Sequence, residues 1–276
     1  MNMLSLAPLA LGGLLTVYAL DGIIRKGLLK EKAAVQYNQK SDARMGRILG
    51  RMDSVLSGYA PTFWAHGSYT QLGLLLLWKA VHNNTVRFKT HTVQCPDGGV
   101  VHIEEFVEPE GATELPVNAP IVLILHTIGG TAADESEFCK EAYARGMRAM
   151  VLARRGHAAP LVTAKFNFMG CTKDTTLMVQ RVKQLYPESF IGMVGLSAGS
   201  GQCVSYIGQQ GDTQPVQAAV SLCPAYDISK AFHKFQEQSP LLAKWLLQGL
   251  KKFFLRNNYT LMKATHEDSC KLDAAQ

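Results

Sequence analysis

The 276-residue chain has no CxxC pair, no long basic or acidic block, no internal repeat and no low-complexity tract. Without Cys/His spacing of the right kind it cannot build a structural zinc cage, and no metal or cofactor is called for by any motif. The six scattered cysteines (Cys95, Cys139, Cys171, Cys203, Cys223, Cys270) read as reduced, mostly buried thiols rather than a disulfide framework. A formal net charge of +6 and a pI near 9.0, spread along the chain without an RNA- or DNA-binding signature, favour anionic surfaces over nucleic acid. Charged residues are only 18% of the chain and hydrophobic ones 47%, enough for one sizeable core with accessories.

Leu4 to Ile24 is apolar apart from Tyr18, Asp21 and a few small residues, long enough to span a bilayer as a helix. A cleavable signal peptide would have a basic start and a small-residue cleavage site. Here the basic residues Arg25, Lys26, Lys30 and Lys32 follow the apolar stretch, so an uncleaved single-pass anchor is expected, with the rest of the chain on the cytosolic side of an endomembrane such as the endoplasmic reticulum. In a lumenal orientation Asn83-Asn84-Thr85 and Asn258-Tyr259-Thr260 would be glycosylation acceptors. A second apolar run, Leu72 to Trp78, is too short to span and reads as a packed helix or a membrane-touching element.

From Val86 the period changes. Val86 to Cys95 and Val100 to Val107 are β-rich runs around Pro96-Asp97-Gly98-Gly99, a hairpin signal. Ile121 to Leu125 is a continuous apolar run of the kind a doubly covered parallel strand needs. Helix 132–145, strand 147–153, helix 173–186, strand 189–195, helix 198–209 and strand 217–223 then alternate, which predicts an open, mainly parallel, doubly wound sheet.

The strand ending at Val194 runs into Gly195-Leu196-Ser197-Ala198-Gly199 and then into a helix. This is G-x-S-x-G in a strand-turn-helix context, where small residues let a serine sit on a strained turn at the positive end of the helix. Ser197 is therefore the candidate nucleophile, with Gly195 and Gly199 shaping the elbow. The oxyanion of an acyl intermediate needs two N–H donors: Ala198 supplies one, and Thr127 or Ile128, in the loop His126-Thr127-Ile128-Gly129-Gly130 after the strand 121–125, supplies the other. His126 invites the role of general base, but an elbow of this type takes its histidine from late in the chain.

On these stretches the chain resembles the membrane-anchored α/β-hydrolase-domain lipases and esterases over roughly residues 45–240. The resemblance is carried by Pro61-Thr62-Phe63-Trp64-Ala65, the Asp97-Gly98 hairpin, Leu125-His126 with Gly129, Arg155-Gly156, Asp174 opening a helix, the Ser197 elbow and Cys223-Pro224-Ala225-Tyr226-Asp227. It implies an α/β-hydrolase fold and cleavage of carboxylic esters, acylglycerols or phospholipids among them, through a Ser-Asp-His triad without a cofactor. Thr127 stands where such chains have a glycine, and Ala153-Arg154-Arg155-Gly156-His157 replaces an Asn-containing turn. Arg155 reads as a structural cation or a substrate anchor.

The acid and base of the triad are the gap. Asp227 follows a strand but matches the entry to the excursion over the site, and His266, beside Glu267 and Asp268, is the one late histidine cluster. Everything after Ser229 reads as helix, so the fold is expected to be incomplete at the C-terminus, with strand 217–223 as an apolar edge. Pro240 to Arg256 sets Leu242, Trp245, Leu246, Leu250, Phe253 and Phe254 against Lys244, Lys251, Lys252 and Arg256, a packed cap helix or a basic amphipathic one for a membrane surface. The expected organisation is an anchor over 1–25, a helical linker over 26–85, the hydrolase core over 86–229 and a helical cap or tail over 230–276. The expected activity is a serine esterase on lipid-like substrates; the rival is a catalytically silent, membrane-anchored binding or regulatory module.

Overall fold

The computed structural model describes residues 15–24, 34–36, 42–52, 62, 64–81, 86–167 and 171–265. The chain forms two compact units, residues 1–83 and 84–276.

In the first unit, helices cover residues 15–24 (α1), Asp42–Gly50 (α2) and Ser68–Val81 (α3). The Tyr18 hydroxyl accepts the Gly67 N–H at 3.1 Å and lies 3.0 Å from Thr70 Oγ1, while its ring stacks on His66. Asp21, the charged residue within the apolar segment, meets His66 Nε2 at 2.9 Å. Of the segment 4–24, residues 4–14 lie outside the described residues; among the described residues no helix is long and apolar enough to cross a membrane. The run 72–78 falls within α3, where Leu74 to Trp78 are exposed rather than packed.

The second unit is a six-stranded sheet: β1 (Arg87–Gln94), β2 (Val100–Val107), β3 (Ile121–Leu125), β4 (Arg148–Ala153), β5 (Ile191–Leu196) and β6 (Ala218–Leu222). The strand order is β1-β2-β4-β3-β5-β6, with β1 and β2 antiparallel and β3 to β6 parallel. The crossovers run through α4 (Ser136–Ala144), α5 (Lys173–Leu185) and α6 (Ala198–Gln210). After β6 the chain is helical: α7 (Ile228–Gln238), α8 (Pro240–Leu250), a π-helical turn Lys251–Leu255 and α9 (Tyr259–Thr265).

The near-continuous apolar strands are explained by burial on both faces. Leu123, Met150 and Met193 pack with Met178 and Val179 of α5 and Tyr206 of α6. Ile124, Val151 and Leu196 point the other way, toward Cys139 and Ala142 of α4. Only β6 escapes, as the sheet's edge with Val220 and Leu222 exposed. The order reverses at β3, which β4 and β5 flank on opposite sides, so a crevice opens past the carboxyl ends of β3 and β5. Ser197 and the loop 126–130 sit at those two ends.

Three separate sequence signals meet in one ionic knot. The Arg155 guanidinium, 3% exposed, holds Asp174 at the start of α5 in a bidentate pair at 2.9 and 2.8 Å and reaches Asp97 of the β1–β2 turn at 2.9 Å. Lys165 joins Asp97 at 2.8 Å, and together Arg155 and Lys165 hold the Asp97 carboxyl well below the usual carboxylate range. Gly99 is needed beside them, because a Cβ there would lie 2.8 Å from Arg155 Cζ. Arg155 is thus a structural cation, the first of the two roles expected for it. Asp174→Ala, which strands a buried guanidinium, is expected to cost about 3–5 kcal/mol in urea unfolding, whereas Asp97→Ala at the half-exposed end should cost far less.

Candidate active site

Strand β5 delivers Ser197 into a turn with φ 51° and ψ −111°, a conformation that a non-glycine residue adopts only when its surroundings enforce it. The enforcement is steric. A Cβ at Gly195 would lie 2.7 Å from Cys203 Cβ and from Ser200 Cα, and one at Gly199 would strike the Leu125 carbonyl and come within 2.8 Å of His126 O. With both side chains absent, α6 starts against the end of β3, and Ser197 is left exposed while Ala198 to Ser200 are buried. The Ser197 N–H donates to Leu222 O of β6 at 3.1 Å, and Ser200 N donates to Ser197 O at 2.9 Å. The elbow is therefore clamped from β3, β6 and its own helix.

Ser197 and Ala198 lie on the wall of a cavity of about 630 Å³. Ile128 faces them from the β3 loop, and Phe232, Phe235 and Leu246 of α7 and α8 close the far side. Thr127 is directed elsewhere: its N–H donates to Glu135 Oε1 at 3.4 Å. Of the two loop residues expected near the serine, Ile128 borders the cavity and Thr127 does not. Gly129 takes φ 68°, and Gly130 N donates back to Thr127 O at 3.1 Å, which holds the loop in a tight turn.

Behind this loop lies a buried cluster of two histidines and an arginine. His126 is fully buried: its Nε2 accepts the Arg154 N–H at 3.2 Å, so Nδ1 carries the proton and donates to Thr127 O at 2.9 Å. Arg154 spans the loop with donations to His126 O at 3.0 Å and Thr127 O at 2.6 Å. Burial lowers the Arg154 guanidinium to about 10 and, with Arg154 beside it, pushes His126 well below its ordinary value. His157 packs on His126 on one side and on Phe253 and Phe254 of the π-turn on the other; burial and then Arg154 bring it down to about 4. The two nitrogens of His126 are spent on the Thr127 carbonyl of the loop and the Arg154 N–H after β4, so it acts here as a fastening between them.

The remaining expected residues separate. His266 lies outside the described residues. Asp227 caps α7, accepting the Lys230 N–H at 3.0 Å and pairing with Lys230 Nζ at 3.3 Å. Among the described residues that line the cavity there is no histidine or carboxylate. One cysteine departs from the buried-thiol expectation: Cys223 is exposed, has φ 58° and lines the cavity beside Ser197, because it occupies the turn where the chain leaves β6. Its Cys-Pro sequence marks a chain turn but not its neighbours. Glu135 likewise had no signal in the sequence beyond being an acidic residue at a helix start.

Residues 117–275, more than half of the chain, match the model of the Hydrolase_4 family, described as serine aminopeptidase, S33. The chain belongs to this family of α/β-hydrolases. It is 31% identical to embryogenesis-associated protein EMB8 of Picea glauca over 61% of this chain and 39% of that protein. It is 34% identical to medium-chain fatty acid ethyl ester synthase/esterase 2 of Saccharomyces cerevisiae over 41% of this chain and 26% of that one. With monoacylglycerol lipase ABHD2 of Mus musculus the identity is 31% over 36% of this chain and 24% of the relative. The chain therefore spans about a quarter to two fifths of the length of these relatives.

Two outcomes are expected from the site's packing. Gly199→Ala forces a methyl group into the β3 carbonyls and should destabilise the fold by about 1–3 kcal/mol, read in urea unfolding. His157, neutral in the folded chain, gains a proton on unfolding once the pH drops below about 6.5, so stability is level above that pH and falls as the pH drops toward about 4. The fall amounts to about 3 kcal/mol for this one group, with His126 adding in the same direction. His157→Phe, which keeps the aromatic packing, should shrink that acid-side loss in urea titrations at stepped pH.

Proposed function

We propose that the chain is a serine hydrolase that cleaves carboxylic esters of lipid-like acyl substrates through an acyl-enzyme on Ser197. The observation that carries this reading is Ser197 exposed on a strained elbow at the wall of a largely apolar cavity, at the N-terminus of α6. Ser197 Oγ attacks the substrate carbonyl, the alcohol leaves, and water releases the acyl group and regenerates the serine. The amides of Ala198 and Ile128 receive the oxyanion, worth about 3 kcal/mol for a well-placed donor. Phe232, Phe235 and Leu246 offer the acyl portion an apolar wall. His266 is assigned as the base that takes the Ser197 proton and passes it to the leaving alcohol. The segment 4–24 anchors the protein in an endomembrane, with the hydrolase unit on the cytosolic side. Relatives named as an ester synthase/esterase and a monoacylglycerol lipase support the choice of acyl esters.

A second reading, a catalytically silent module that keeps the cavity for binding, is favoured by one observation: the described residues of the cavity wall include no histidine or carboxylate. A fluorophosphonate probe separates the two, since it reacts only with an activated serine. The expected result is labelling of the wild type that Ser197→Ala abolishes and His266→Ala slows by about 100-fold or more. Folded wild type that stays unlabelled supports the silent module; labelling that persists in Ser197→Ala removes Ser197 as the nucleophile.

A further inference from the structure

Helix α8 stands between the cavity and solvent, and its two sides have different tasks. Leu246 lines the cavity, and Leu242, Ala243 and Leu250, at helical spacing from it, are half-buried. The opposite side should be polar if it met only water. It is not: Leu241 is 83% exposed and Trp245 60%, and Leu247, on the other flank of the helix, is 52% exposed. Leu241 and Trp245 are four apart and so lie one above the other. Lys244 and Lys252 are exposed and Lys251 half-exposed on the same side, Lys251 and Lys252 following Lys244 and Trp245 at seven-residue spacing.

Charge is distributed to match. From Gln238 to Thr265 there is no Asp or Glu, while Lys244, Lys251, Lys252, Arg256 and Lys263 supply five of the six positive charges by which the whole chain exceeds neutrality. The next acidic residue is Glu267. The helical segments from α8 to α9 thus carry five positive charges and no negative one, three of them, Lys244, Lys251 and Lys252, on α8 and the π-turn that follows it.

We propose that this outer side of α8, with the π-turn behind it, is a docking surface for an anionic lipid bilayer. Leu241 and Trp245 enter the boundary between headgroups and acyl chains, and the lysine stems lie along the apolar surface with their ammonium groups among lipid phosphates and carboxylates. Trp suits that depth, with an apolar body and one N–H for the wet side. A nucleic acid would match the lysines but leave the aliphatic groups in water, and a second copy packed through α8 would oppose lysine to lysine. An anionic bilayer satisfies both halves of the surface. Because the same helix gives Leu246 to the cavity wall, docking sets the cavity one helix diameter from the lipid.

The surface is independent of the chemistry at Ser197, so the test uses the full chain carrying Ser197→Ala, and its failure would leave the esterase reading untouched. Co-sedimentation with phosphatidylcholine vesicles, with and without phosphatidylserine, reads binding. Preference for the anionic vesicles that weakens with salt is expected, together with loss of that preference when Lys244, Lys251 and Lys252 are all replaced by Glu. Brominated phosphatidylcholine mixed into the anionic vesicles should quench Trp emission, and the conservative Trp245→Phe should remove that component; this keeps the test decisive if the triple variant folds poorly. Residues 4–24 bind both vesicle types in parent and variants alike, so the quantities compared are the preference for anionic over neutral vesicles and the quenching at Trp245, not total binding. A folded triple variant that keeps the parent's preference for anionic vesicles, emission at Trp245 that brominated lipid does not quench, or self-association through α8 in place of vesicle binding would each overturn the proposal.

Discussion

The close approach of α6 to the end of β3 governs this structure. It exists because residues 195 and 199 lack side chains, so that the first turn of the helix rests on the carbonyls of Leu125 and His126. From that contact follow the left-handed conformation of Ser197, its exposure above a buried helix start, and the nearness of the β3 loop that brings Ile128 to the same cavity. The strain at Ser197 is met by many small constraints, and the hydrogen bond from Ser197 N to Leu222 O recruits even the edge strand to the task.

Much of this was legible in the sequence. The strands β3, β4 and β5 appear as short apolar runs because both their faces are covered, and the change from 3.6-residue to two-residue period marks the hairpin. The elbow is legible because its glycines answer a local steric demand. What stayed hidden were relations between distant residues. Asp97, Arg155 and Asp174 were each marked as notable, but nothing in a one-dimensional pattern says that one guanidinium joins all three. Nor could spacing choose between Thr127 and Ile128, since the choice depends on the direction of a single N–H toward Glu135.

Cys223 and the helices α7 and α8 show the same limit from the other side. Composition puts a free cysteine in the interior by default, and the turn after β6 overrides it. Between Pro240 and Arg256 the sequence separates only an apolar set from a basic set. In the fold, Leu246 turns to the cavity and Trp245, its immediate neighbour, turns to solvent. Adjacent residues on a helix point about 100° apart, so one helix can serve two environments without any mark in the composition.

The helical arm that walls the cavity is fastened at both ends. At its start it leaves β6 through Cys223 and the Asp227 cap of α7; at its finish the π-turn seats Phe253 and Phe254 on His157, with Asn258 donating its side-chain amide to the Phe254 carbonyl at 3.1 Å. A flap hinged at one side can swing away from a cavity, but a span held at two abutments can only bow or slide. The weakest point of such a span is the junction of α7 and α8, where Ser239 and Pro240 break the helix between its two fixings.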